Sequence, residues 1–244
     1  MSSKEINTID NDEVEKFSAI ADEWWDEEGK FRPLHQINPI RIKYIKSQIE
    51  KHLGAKFSGY KLLDVGCGGG LISVPMAKIG FTVDGVDASE KNIMVARAHA
   101  KKHRIKNLEY MYTSVEHHAE KNLQKYDVIL ALEVLEHVAE INNFIHALKQ
   151  MLKPGGVLII STINKTIKSL LLAKIAAEYI LHWVPVGTHS WHKFLRPADL
   201  KQSFHNTGLD VVGKAGMVYN PLAREWKIGR SMDVNYFMVM QNTP

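Results

Sequence analysis

The chain has 244 residues, 45% of them hydrophobic and 24% charged, with a formal net charge of +4; this is the length and composition of an ordinary globular protein of one domain with an elaboration, and it excludes a collagen, a disulfide scaffold and a disordered chain. One cysteine, Cys67, rules out an internal disulfide and fits a reducing compartment. Residues 1–30 hold ten acids against three bases, and the rest of the chain 28 bases against 17 acids, which is either two solvated faces of unlike sign or a basic body that meets an anionic surface.

The N-terminus, MSSKEINTIDNDEVEK, is acidic and lacks an apolar stretch, so no signal or transit peptide is expected. No apolar run reaches the roughly 18 residues of a membrane span. Val14, Phe17, Ala21, Trp24 and Trp25 recur at helical spacing, and a second helical run follows Pro39 (Ile42, Ile45, Ile49, Leu53). Residues 1–55 therefore read as a helical cap, and 56–244 as the main domain. There the pattern alternates: strand 61–66, helix 71–80, strand 82–89, helix 90–103, strands 108–114 and 126–132, helix 140–152 closed by LKPGG, and strand 157–163. A helix over 197–207 and strands over 209–218 and 233–241 follow. This alternation predicts an α/β fold, a Rossmann-like parallel sheet with helices on both faces. Ligands bind such sheets beyond the carboxyl ends of the strands. Residues 164–196 interrupt the pattern and read as a helical lid inserted over that face.

The loop Asp64-Val65-Gly66-Cys67-Gly68-Gly69-Gly70 follows the first strand and opens a helix. Its glycines allow a tight turn and close approach of a ligand to the backbone. Leu71 stands where a dinucleotide fingerprint requires its last glycine. Asp64 would crowd a pyrophosphate, whereas it suits a donor with a cationic end, such as the ammonium and sulfonium of S-adenosylmethionine. Asp87, at the end of GVDAS, is placed to reach ribose hydroxyls, with Asp87 or Ser89 also able to cap the next helix. After the fourth strand comes Glu133-Val134-Leu135-Glu136-His137. If this segment is helical, Glu133, Glu136 and His137 share a face. They would then suit Mg²⁺ or Mn²⁺, with Zn²⁺ possible, as a dication that lowers the pKa of a phenol. The alternative is a first-turn acid pair that complements a helix dipole, with His137 packed in the turn; a histidine base would then substitute for the metal.

Taken together, DVGCGGG, GVDAS, YDVILALEVLEH and LKPGG resemble the motifs of class I S-adenosylmethionine-dependent methyltransferases. With Trp24-Trp25-Asp26, the run from Phe31 to Arg41, GTHSWHKF, YNP at 219–221 and DVNYF at 233–237, the chain resembles the ubiquinone-biosynthesis O-methyltransferases from about Val14 to Asn242. The resemblance implies O-methylation of 2-polyprenyl-6-hydroxyphenol and 3-demethylubiquinol. It implies S-adenosylmethionine as cofactor, with Arg41, Gly66, Asp87 and Leu132 among the binding residues beside Asp64 and Gly68. Metal-dependent relatives imply Glu133, Glu136 and His137 as ligands.

A polyprenyl tail stays in a bilayer, and Lys165, Lys168 and Lys174 interleave with apolar residues through 165–184. That segment is expected to meet an anionic membrane surface. The implied location is cytoplasmic, peripheral on the inner face of a bacterial membrane, with other ubiquinone-biosynthesis enzymes as partners. His189 and His192, around Trp191, are given no catalytic role. The competing readings are a methyltransferase for another small phenol or for nucleic acid, a nicotinamide dehydrogenase, and a non-catalytic lipid-binding protein. No N/D-P-P-Y/F loop follows the fourth strand, so no nucleic-acid partner is expected.

Overall fold

The computed structural model describes residues 8–170, 193–220 and 225–243. Helix α1 (Asn11–Ala19) starts under an Asp10 cap, whose side chain accepts from the Glu13 N–H. Helix α2 (Arg32–Leu53) starts ahead of the expected position and runs straight through Pro39. Pro33 sits in its first turn, where a missing N–H leaves nothing unsatisfied. Pro39 costs an internal hydrogen bond. Burial of Ile37, Arg41, Tyr44, Ile45 and Ile49 along one face offsets that cost.

The core alternates as the sequence suggests. Strand β1 (Lys61–Val65) leads to α3 (Ser73–Ile79), β2 (Thr82–Asp87), α4 (Glu90–Lys102), β3 (Leu108–Tyr112), α5 (Val115–Lys121) and β4 (Tyr126–Leu132). Then come α6 (Ile141–Met151), β5 (Leu152–Ile163), a single turn α7 (Ile167–Ser169), α8 (Pro197–Asn206), β6 (Asp210–Asn220), β7 (Glu225–Gly229) and β8 (Asn235–Gln241). Two of these elements were not foreseen. Helix α5 is short and almost without apolar periodicity, and is started by Ser114, which accepts from the His117 N–H. Strand β7 is a five-residue return that pairs antiparallel with β6.

The eight strands lie in the order β3-β2-β1-β4-β5-β8-β6-β7. The first five are parallel, and β8, β6 and β7 add antiparallel. Both faces are covered, so neighbouring residues on one strand serve different cores. Leu63, Ile129 and Ile160 pack with Phe144, Ile145 and Leu148 of α6 and Phe204 of α8. Leu62, Val128 and Ile159 pack with Ile45 and Ile49 of α2 and Met76 of α3. Helix α2 is thus part of the layer that covers one side of the sheet. The register sets Val65 beside both Val86 and Ala131. The ends of β1, β2 and β4 are therefore level, and the strand order reverses between β1 and β4. That switch point is where such sheets bind ligands.

Of the inserted segment 164–196, the described residues are 164–170 and 193–196; the rest of the expected lid, with His189, Trp191, His192 and most of 165–184, lies outside them. No helix among the described residues is long and apolar enough to cross a membrane.

Candidate active site

A cavity of about 900 Å³ opens at the switch point, and Arg41, Asp64, Gly66, Gly68, Asp87, Leu132, Glu133, Glu136 and His137 all line it. The turn after β1 is built from backbone that only glycine tolerates. Gly66 has φ +64°, and a Cβ there would stand 2.5 Å from Val134 Cγ2. Gly68 has φ +53°, and a Cβ would stand 2.3 Å from the Trp24 ring. The N-terminal aromatics hold this loop from outside. Trp24 Nε1 donates to Asn92 Oδ1 and Trp25 Nε1 to the Gly69 carbonyl, each at 2.9 Å. Phe31 stacks on Trp24 with ring centres 3.7 Å apart.

Asp87 is oriented by three donors: the Gly68 N–H on Oδ2 at 2.8 Å, and the Ser89 N–H (2.8 Å) and Asn92 Nδ2 (3.2 Å) on Oδ1. A carboxylate has about four acceptor positions, so Oδ2 keeps room for one more donor, such as a hydroxyl. Ser89 caps α4 by accepting from the Asn92 N–H. The two sequence-level readings of this segment therefore fall to different residues. Asp64 is buried and accepts from Ser73 Oγ at 2.5 Å. Burial raises its pKa to about 6 against the opposing pull of Arg41, so a further cation from a ligand favours its charged form.

Arg41 is buried with one guanidinium nitrogen donating to Asn38 Oδ1 at 2.9 Å, while Asn38 Nδ2 donates to the Leu71 carbonyl at 2.7 Å. Its Nε has no hydrogen-bond partner among the described residues. A buried donor left bare is costly, and a ligand carboxylate would satisfy it. A buried arginine with one unpartnered N–H, two carboxylates and a glycine turn are the features that fit a zwitterionic sulfonium donor.

The acidic turn after β4 differs from expectation. Glu133 has φ +55°, and Leu135–His137 form a single 3₁₀ turn. A left-handed residue breaks the helix, so i, i+3 and i+4 no longer define one face. Glu133 Oε1 instead accepts from Ser161 Oγ at 2.8 Å, and Glu136 Oε2 from Thr162 Oγ1 at 2.7 Å. His137 Nδ1 pairs with Glu13 Oε2 at 2.8 Å. No cluster of three His, Cys, Asp or Glu able to hold a metal exists among the described residues. With each group bound to its own partner, the set as arranged does not fit a dication.

Glu136 is buried, and burial with Glu133 nearby raises its pKa to about 7. For His137, burial opposes the charged form, but the Glu13 and Glu136 carboxylates prevail and its pKa is raised. Glu13 is held well below the usual carboxylate range by His137 and by two lysines. Lys193 bridges Asp10 at 2.8 Å and Glu13 at 3.0 Å. Sequence reading did not single out Asp10, Glu13, Asn38 or Lys193. The acidic N-terminus against a basic body was the available signal for three of them.

The fold and this cavity define a class I methyltransferase. Residues 35–214 match the family model of a methyltransferase domain. Magnesium protoporphyrin IX methyltransferase from Synechocystis PCC 6803 with bound SAH superposes with a TM-score of 0.66 at 20% identity, covering 96% of this chain and 94% of that one. The ubiquinone biosynthesis O-methyltransferase of Chelativorans sp. is 48% identical, over 97% of this chain and 95% of its own length. Those of Brucella anthropi (97% of each chain) and Pelagibacter ubique (95% of this chain, 97% of its own) are each 47% identical. The chain belongs to the ubiquinone biosynthesis O-methyltransferase family.

Proposed function

We propose that the chain methylates the phenolic hydroxyl of 2-polyprenyl-6-hydroxyphenol and of 3-demethylubiquinol. S-adenosylmethionine, when bound, supplies an electrophilic methyl whose transfer to oxygen leaves a neutral thioether. The observation that carries the reading is one continuous cavity. Asp64, Asp87 and Arg41, with its unpartnered Nε, line it together with Glu136, His137, Phe144 and Ile163. The chain's residues have three tasks. Asp64, Asp87 and Arg41 hold the charged ends of the donor. The apolar wall takes the aromatic ring and excludes water, so that the reacting oxygen and methyl are held in line. Glu136 receives the phenolic proton, which suits a carboxylate whose pKa is near neutrality.

Methyl transfer to a short-chain catechol, measured with and without chelator in the wild type and in Glu136→Gln, tests this. Transfer by the wild type supports the reading, and its absence on any catechol rejects it. A rate insensitive to chelator but at least ~100-fold lower in Glu136→Gln assigns the proton to Glu136. A chelator-sensitive rate returns Glu133, Glu136 and His137 to the role of Mg²⁺ ligands, with their present partners exchanged.

The same reading places the chain at the cytoplasmic face of a membrane, beside other ubiquinone-biosynthesis enzymes. Ile167 is 73% exposed next to Lys168, at the start of the lysine-studded stretch 165–184. A lysine-studded apolar sequence of this kind inserts its apolar residues and pairs its cations with anionic lipid, Lys168 exchanging its exposed partner Asp233 for a headgroup. Flotation with liposomes that contain phosphatidylglycerol, and none with neutral liposomes, is the expected result.

A further inference from the structure

Helix α2 has a second face toward empty space. Leu34, Ile37 and Arg41 point into the active-site cavity, whereas Gln36, Pro39, Ile40 and Lys43 line a separate groove of about 600 Å³ on the outside. Helical spacing sorts the two sets to opposite sides of one wall. Two residues are common to both spaces, Tyr219 and Trp226. They are direct cross-strand partners on β6 and β7, with ring centres 5.2 Å apart at 50°. Tyr219 is 44% exposed.

The volumes define the problem this arrangement answers. Pockets of ~300–1,000 Å³ bury one drug-sized ligand. The inner cavity is within that range and must hold both a donor and a phenol, so a long isoprenoid chain has no room there. The groove beyond the aromatic pair is lined by the apolar or aromatic residues Pro39, Ile40, Tyr219 and Trp226 together with the polar Gln36, Lys43 and Glu225. The side chains of Pro39, Ile40, Tyr219 and Trp226 offer a hydrocarbon chain apolar contact that continues from the inner cavity through the two shared aromatics.

We infer that Tyr219 and Trp226 form a port through which the isoprenoid tail of the substrate leaves the active site, and that the groove on the outer face of α2 binds it. The inference rests on the reading of the cavity as a polyprenyl-phenol site. The port and groove select for the tail, while the inner cavity acts on the ring.

The test uses the full-length chain with a series of catechols, from none to increasing numbers of isoprene units, dispersed in detergent. For the wild type, KM is expected to fall as the tail lengthens into the groove. Gln36→Trp fills the groove from an exposed position on α2. Trp226→Ala removes one side of the port, and Trp226→Phe should restore it. In Gln36→Trp and Trp226→Ala the ratio of kcat/KM for the tailed substrate to that for the tailless one is expected to drop at least ~fivefold. Since each ratio is taken within one preparation, loss of folded material cancels. A ratio unchanged in both variants, with the wild type still active on the tailless catechol, overturns the port and leaves the methyltransferase reading standing. A wild type inactive on every catechol overturns that reading first, and the port with it.

Discussion

Asp64 is a carboxylate whose folded pKa, about 6, lies above its ordinary 3.8. The folded chain therefore holds the Asp64 proton over a range where the unfolded chain has released it. This group's cost to stability is present above about pH 6 and relieved as pH falls toward 4. A ligand cation reverses the balance by pairing with the charged form. Affinity for S-adenosylhomocysteine, read by calorimetry, is thus expected to weaken as pH drops through about 6, and Asp64→Asn to flatten that dependence. Gly68 makes a different demand. Gly68→Ala forces a side chain into left-handed backbone and against Trp24, which should lower stability by ~1–3 kcal/mol and weaken cofactor binding in the same titration. Both positions were legible, because a glycine turn with an acid at the strand end is a local pattern. Arg41 was reached only through family resemblance, since nothing about an arginine in a helix says that its Nε will be buried and bare.

Helix α1 and the residue stretch just before it are fastened to the cavity wall by hydrogen bonds and by charge. Ser18 pairs with Ser89 at 2.6 Å, Ile9 bridges to Val138, and Glu13 accepts from Lys16, Lys193 and His137. Glu13→Gln weakens three charge-assisted bonds around a carboxylate that is mostly buried, and is expected to lower stability by ~1.5–3 kcal/mol in urea unfolding. The pH window follows from the two partners. Glu13, with a depressed pKa, stabilises above its ordinary 4.5 and ceases to as pH falls through its folded value. His137, with a raised pKa, stabilises below its ordinary 6.5 and ceases to as pH rises through its folded value. The gap between wild type and variant should be widest between about pH 4.5 and 6.5. Elements with apolar periodicity or terminal glycines, such as β1, α3, β2 and α4, were readable. Helix α5 and strand β7 were not, because they are held by a serine cap and by pairing with β6. Pro39 misled for a related reason: a local breaker is overridden when the whole face of α2 is buried.

For the molecule as a whole, the sheet brings nine residues spread over 97 positions of sequence into one cavity. Its order puts the ends of β1 and β4 side by side, so the donor site and the acidic turn become one wall. Ligand binding to the folded state alone should stabilise the whole structure. S-adenosylhomocysteine at 100 times its Kd adds about 2.7 kcal/mol, which for a chain of this size raises Tm by roughly 5–10 °C. NADH should leave Tm where it is, and a shift with NADH would contradict the donor assignment.

Short-range chemistry on the chain was enough to specify the alternating α/β order, the glycine turn and the two acids at strand ends, since each depends on a few adjacent residues. Whether Glu133, Glu136 and His137 converge was decided elsewhere. A left-handed backbone at Glu133 and hydroxyls from β5 gave each carboxylate its own partner, and a carboxylate from α1 took the histidine. Those partners are 26 to 124 residues distant in sequence. No spacing rule encodes such pairings, because they exist only once the sheet has closed and burial has made every unpaired polar group expensive.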